Sequence, residues 1–177
     1  MRINQKEDII LEIFFQHPST HFRFKEIVKI AGLHKDNVNN WLIRLQDNGF
    51  VRKIKTPGKF PYYIANHENN SFKNRKKIYA LSEFYESGFL DTLSSLKNAK
   101  AVIIFGSFSR SDWHKGSDID LFIYGNTGKL DLSIFEKKLC REIELFSYKD
   151  KKDLKKANPF LMKNILAGYY VKGSMSF

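Results

Sequence analysis

Apolar positions recur along the chain with two periods, and the change from one to the other divides it. Ile9, Ile10, Ile13 and Phe14 share one helical face, and proline predicts an end to that helix near His17-Pro18. A second helix is expected from about Lys25 to Ala31, burying Ile27 and Val28. Phe22 to Phe24 form a short strand before it, and Gly32 turns the chain after it. Val38, Trp41, Leu42 and Leu45 then follow at i, i+3, i+4 and i+7, predicting a third helix closed by a left-handed cap at Asn48-Gly49. Here the period drops to two. Phe50 to Lys55 and Phe60 to Ala65 read as strands joined by Thr56-Pro57-Gly58-Lys59. That sequence suits a type II turn, since proline presets the first φ and glycine accepts the positive second one.

A connector helix from about Phe72 to Glu86 is expected next, capped by Asn69-Asn70-Ser71 and broken at Gly88 before Leu90, Leu93 and Leu96. Ala101 to Phe105 is an apolar strand that stops at Gly106-Ser107, and Asp118 and Asp120 alternate with Ile119, Leu121 and Ile123 on a second strand. Leu132, Phe135 and Leu139 mark an amphipathic helix, and Glu142 to Tyr148 alternates as a strand does. Asn158-Pro159 opens a last amphipathic segment through Phe160, Leu161, Ile165 and Leu166, before an edge strand at Tyr169-Tyr170-Val171. The fold class is therefore α+β. It comprises a three-helix and hairpin domain at 1–66, a connector at 67–86 and a small mixed-sheet domain at 87–177.

Composition agrees with two small cores, since 42% of the 177 residues are hydrophobic. No apolar stretch reaches the roughly 20 residues that cross a bilayer, and the polar opening Met1-Arg2-Ile3-Asn4-Gln5-Lys6 is unlike a signal peptide. A cytoplasmic protein with no membrane partner is the expectation. Cys140 is the sole cysteine, which excludes an intramolecular disulfide, and its place on a predicted helix suggests packing. The histidines lack metal-ligand spacing. Net charge of +11 favours polyanionic partners. Its location matters more, because residues 50 to 66 hold Arg52, Lys53, Lys55 and Lys59 and no acid. Two other basic runs, Lys73 to Lys77 and Lys149 to Lys156, read as solvated helix faces.

The chemistry concentrates between Gly106 and Asp120. Gly106 lets backbone approach a phosphate, Ser107 adds a hydroxyl, and a helix opening there aims N–H groups at an anion. Strand periodicity puts Asp118 and Asp120 on one face about 6–7 Å apart, as hard oxygen ligands for a divalent cation. Trp113 is expected to pack the short helix, and His114 reads as incidental. Tyr62, Tyr63, Tyr169 and Tyr170 are candidate acceptor or modification sites.

Gly106-Ser107, ten residues, then Asp118-x-Asp120 resembles the signature of the DNA polymerase β-like nucleotidyltransferases, in particular the minimal nucleotidyltransferases, over about residues 87 to 177. The resemblance implies a third carboxylate on a neighbouring strand. Glu144 is preferred because it lies deeper in its apolar run, but Glu142 has the same parity and periodicity does not choose between them. It further implies that Asp118, Asp120 and Glu144 hold Mg²⁺ or Mn²⁺ in a two-metal arrangement. Gly106, Ser107 and Ser117 would bind the nucleotide, and Arg110 would neutralise leaving pyrophosphate. The substrate would be an NTP, ATP first, whose NMP passes to a hydroxyl; a HEPN-type toxin bearing that hydroxyl would make this chain an antitoxin. The family's Ala-Arg-Gly is Ser109-Arg110-Ser111 here, so the arginine is kept and the glycine is not.

The first domain resembles a winged helix-turn-helix. Lys35, Asn37, Asn39, Asn40 and Arg44 on the third helix and Lys53, Lys55 and Lys59 on the hairpin would then contact DNA. The same surface fits a docking or dimerisation module, and a homodimer is compatible with either. In a rival reading, the protein is a DNA-binding regulator whose transferase half senses a nucleotide or assembles a complex.

Overall fold

The computed structural model describes residues 5–175, so Met1 to Asn4 of the polar opening lie outside the described residues. The chain divides into two compact units, Met1–Lys76 and Lys77–Phe177.

In the first unit, α1 (Gln5–Gln16) buries Ile10, Leu11, Ile13, Phe14 and Phe15. Ile9, expected inside, is 37% exposed, because Leu11 and Phe15 widen the buried face on the side away from it. Phe14 meets Phe22 at 5.8 Å and Phe15 meets Phe72 at 5.1 Å, so two neighbours claim the helix. Phe22 exchanges two backbone hydrogen bonds with Tyr63, of 2.9 and 2.7 Å. The expected strand is thus a single bridge, and α2 (Phe24–Ala31) begins directly after it, burying Ile27 while Val28 is half-buried. In α3 (Lys35–Asp47), Val38, Leu42 and Leu45 are fully buried. Trp41, expected among them, is only half-buried and carries the Arg44 guanidinium 4.8 Å above its ring. The helix ends as expected near Gly49, where Phe50 N–H donates to Leu45 and Gly49 N–H to Gln46.

Two strands, β1 (Val51–Ile54) and β2 (Tyr62–Ala65), form an antiparallel hairpin. Both are shorter than expected. Pro61 has no N–H to contribute, and the ladder stops at Tyr62. The turn between them has Lys59 N–H donating to Thr56 at 3.1 Å and Gly58 at φ +72°, as a type II turn requires. Tyr63 is buried, which removes it as a modification site. Asn69 Oδ1 accepts from the N–H groups of Ser71 and Phe72 and so caps α4 (Asn70–Glu86), a helix that runs across the division between the units. Its basic cluster is not the solvated face expected: Lys76 is buried, and Arg75 binds Asp8 at 2.6 Å.

The second unit continues with α5 (Phe89–Ser94), β3 (Ala99–Phe105), α6 (Gly106–Arg110), β4 (Ile119–Gly125), α7 (Ser133–Leu139), β5 (Ile143–Tyr148), α8 (Lys151–Leu154), α9 (Pro159–Leu166) and β6 (Tyr169–Gly173). Its sheet has the order β5-β4-β3-β6. It is mixed, because β4 and β5 run parallel while β3 is antiparallel to both its neighbours. Ile103, Phe105 and Phe122 form a buried cluster with Ile165 of α9. Aromatic contacts tie the remaining helices, Phe84 to Phe89 at 5.8 Å, Phe84 to Phe108 at 5.2 Å and Phe89 to Phe135 at 5.2 Å. Two expectations fail here. Phe160 is 81% exposed because α9 turns Leu161, Met162 and Ile165 to the sheet cluster and Phe160 lies off that face. Cys140 is exposed, in a left-handed turn just past α7. Among the described residues no helix is long and apolar enough to cross a membrane.

Leu42→Ala should cost about 2–5 kcal/mol, the scale of a fully buried leucine, whereas Phe160→Ala should stay within about 0.5 kcal/mol of wild type. Denaturant unfolding of the two variants checks both.

Candidate active site

The carboxylates converge through strand register. Phe105 and Asp120 are partners across the antiparallel β3–β4 pair, and Asp120 and Glu144 are partners across the parallel β4–β5 pair. Partnered residues face the same side of a sheet, so the Asp120 and Glu144 side chains stand on adjacent strands about 4.8 Å apart. Asp118 precedes β4 by one residue and shares the parity of Asp120. Glu142 occupies the corresponding place beside β5, where its carbonyl accepts from Ile119 N–H at 2.9 Å. Register therefore sets Glu144 beside Asp120, with Glu142 flanking Asp118.

Asp120 is half-buried, while Asp118, Glu142 and Glu144 are exposed. Burial pushes the Asp120 pKa above the usual carboxylate range. The charge of Glu144 adds to this, Arg110 opposes it, and Asp118 raises it again. A divalent cation would relieve such crowding, and carboxylate oxygens are the donors it prefers. Among the described residues, no three of His, Cys, Asp and Glu stand close enough together to hold a metal ion by themselves. An ion here would complete its shell with water and phosphate oxygens, as Mg²⁺ does at phosphate-transfer sites.

Gly106 makes room for Asp120. A Cβ built at this glycine would overlap the Asp120 carboxylate, and its φ of +67° lies in the left-handed region. Ser107, half-buried, and Arg110, exposed, belong to the one-turn helix α6 that follows, and the Arg110 Nε donates to Asp112 at 2.9 Å. Ser111, standing where the family's glycine was expected, adopts φ 64° and ψ 25°, the left-handed conformation that glycine favours. The loop thus keeps the glycine shape without the glycine.

Residues 112–117 lead back to Asp118. Ser117 Oγ accepts from His114 N–H at 2.9 Å, so this hydroxyl, expected at the nucleotide, is engaged inside the loop. Arg141, a residue the sequence did not single out, holds the loop from outside. One of its terminal nitrogens donates to the carbonyls of His114, Lys115 and Ser117 at 2.8, 3.2 and 2.7 Å. The guanidinium lies 5.2 Å from both the Phe108 and the Trp113 rings, which stack on each other at 5.4 Å. Trp113 therefore packs on α6 as expected and also floors the arginine. Burial pulls the Arg141 pKa below the usual arginine range, with Tyr79, Asp118 and Cys140 opposing. Cys140, at φ 51°, makes the turn that aims Arg141 at the loop.

An open cleft of about 990 Å³ lies on the α7–β5 side. Its walls include Asp118, Glu142, Glu144, Arg141, Lys137 and Leu145. Gly106, Ser107, Arg110 and Asp120 do not line it, so Asp118 and Glu144 are the two of the three expected ligands that border the cleft. The eight residues expected at DNA are all exposed, but they belong to the first unit and are no part of this site.

Residues 90–172 match the family described as Polymerase beta, Nucleotidyltransferase. This segment is a polymerase β-type nucleotidyltransferase domain, and its enzyme class is nucleotidyltransferase. No curated protein matches the chain significantly. Among solved structures, a mutant form of the toxin-antitoxin MntA-HpeT is similar over 56% of this chain and 74% of that one, at 15% identity and a TM-score of 0.33.

Because folding raises the Asp120 pKa, the folded state binds a proton more tightly than the unfolded one. The stability linked to Asp120 is greatest below its unfolded pKa and falls as pH rises through the folded value. Asp120→Asn should therefore raise the Tm of the metal-free protein at neutral pH, in melts run with a chelator. Ser111→Gly should add up to about 1 kcal/mol, since the left-handed penalty of about 1–2 kcal/mol exceeds the flexibility cost of glycine. Equal or lower stability of that variant in urea would show that Ser111 is not strained.

Proposed function

We propose that this chain transfers NMP, with ATP as the first candidate donor, to a hydroxyl group, and that its first unit is a winged helix-turn-helix that binds DNA. The functional modules are placed at 1–66 and 87–177, joined by 67–86. One observation carries the transferase mechanism: Asp120 faces Glu144 across β4–β5 while its carboxylate lies against Gly106.

The triphosphate would lie on the Gly106–Ser107 side, with Arg110 toward the leaving pyrophosphate. Asp118, Asp120 and Glu144 would hold Mg²⁺ or Mn²⁺. When bound, such an ion neutralises phosphate charge and acidifies a coordinated hydroxyl. The acceptor would enter by the α7–β5 cleft and give its proton to Glu144. Its oxygen forms a bond to the α-phosphorus as the bond to the β-phosphate oxygen breaks, and pyrophosphate leaves with that electron pair. Arg141 would keep Asp118 in place by fixing the loop before it. In this reading the acceptor hydroxyl belongs to a protein, a tyrosine of a HEPN-type toxin, and the chain is its antitoxin; the Gly-Ser and Asp-x-Asp spacing supports this through resemblance.

What supports DNA binding is the element order helix, bridge, helix, helix, hairpin, together with the exposure of Lys35, Asn37, Asn39, Asn40, Arg44, Lys53, Lys55 and Lys59. Helix residues would reach base edges and hairpin lysines would hold phosphates.

Asp118→Asn and Asp120→Asn should abolish label transfer from an NTP while DNA binding persists. Glu144→Gln should lower turnover about 100-fold or more, the scale of lost acid–base assistance, and Glu142→Gln much less. Undiminished turnover in either aspartate variant sinks the assignment, and the reverse ranking of the glutamates moves the third ligand to Glu142. Alanine at Lys53, Lys55 and Lys59 should flatten the log–log salt slope of binding by roughly 2–3 units on duplex DNA, at about 0.9 per phosphate contact.

A further inference from the structure

The hairpin that presents those lysines also presents an apolar residue. Phe60 is 81% exposed, whereas Phe14, Phe15, Phe22 and Phe72 of the same unit are buried and Phe24 and Phe50 half-buried. It directly follows Lys59, whose N–H closes the turn, and directly precedes Pro61. A residue before proline is confined to extended backbone, so Phe60 is held outside the ladder with little freedom to fold back onto it. On the same hairpin Lys55 and Lys59 flank the turn and Arg52 and Lys53 stand on β1, all exposed, and residues 50 to 66 contain no acid.

An aromatic ring left in water on a restrained basic hairpin suits a partner that is both polyanionic and apolar at the scale of one ring. Duplex DNA has that combination, with phosphates on the outside and base steps of ring size within the groove. A lipid surface would reward a broad apolar face, and a single phenylalanine on a four-cation hairpin provides none. We propose that Phe60 is a wedge: the lysines settle on phosphates, and the ring enters between base pairs from the minor groove and kinks the duplex. This inference rests on the DNA-binding reading above and adds the groove and the deformation. The wedge makes sequence preference depend on how easily a step unstacks, apart from any base contact by the third helix.

Salt dependence separates the ring from the lysines. Phe60→Ala in the full chain should weaken binding to a labelled duplex about tenfold or more at every salt concentration, within the range of one lost base–aromatic stack, with the log–log slope unchanged. The bend, read by energy transfer between dyes at the duplex ends, should be lost in Phe60→Ala and kept in Phe60→Trp. Both variants should melt as wild type does, because the side chain is exposed. Binding and bending of Phe60→Ala equal to wild type would overturn the wedge and leave the DNA-binding reading standing. A wild type that shows no salt-dependent binding at low ionic strength would overturn both. If it instead sediments with phosphatidylserine vesicles, and Phe60→Ala does not, the tip is a lipid-surface element and the wedge is wrong.

Discussion

The nucleotidyltransferase site turns on one close approach, that of the Asp120 carboxylate to the bare backbone of Gly106. A side chain at residue 106 and a carboxylate at residue 120 compete for the same volume, so the glycine is fixed by its neighbour across the strand pair as much as by a turn. From that contact the rest follows in order. Phe105, one residue earlier, is the register partner of Asp120 and is sunk in the Ile103–Phe122–Ile165 cluster. The hydrophobic core thus anchors the very backbone that supports the acid, and along that one face of β4 buried Phe122 gives way to Asp120 at the next position on the same side.

Around that contact the two arginines have different tasks. Arg110 is exposed and paired with exposed Asp112, an arrangement that in water stabilises by less than about 1 kcal/mol and is easily exchanged for a phosphate. Arg141 is spent on carbonyl oxygens instead. One nitrogen gathers three carbonyls of the loop, and the planar group rests near two aromatic rings, a combination that lysine cannot reproduce. The loop leads to two like-charged carboxylates, exposed Asp118 and half-buried Asp120, and the half-buried Arg141 cation at its back opposes their repulsion.

Legibility in the sequence followed the range of the interactions concerned. Hairpin, caps and carboxylate strand are set by residues within a few positions of each other, such as Asn69 with Ser71 or Pro57 with Gly58, so pattern alone predicted them. Which glutamate stands beside Asp120 depends on the register of β4 against β5, which parity does not contain. Arg141 was invisible because its acceptors lie 24 to 27 residues away and are backbone atoms, leaving no mark in side-chain types. Helical spacing gave faces correctly in kind but not in extent. It could not show that Phe160 falls beyond the part of its helix that is covered, or that Arg75 and Lys76 belong to packed surroundings. Ser111 is the converse case, since no glycine marks the left-handed turn that the backbone makes there.

One more consequence attaches to β5. It has a strand neighbour on one side only, so the strand that brings Glu144 to the site is also a boundary of the sheet. An unpaired row of N–H and C=O groups invites another chain to add on, and proteins discourage such growth with charge. Glu142 and Glu144 at one end and Lys149 just past the other, all exposed, bracket this border. The acids beside the site thereby help keep the sheet finite, and exchanging them for neutral residues would trade away colloidal solubility.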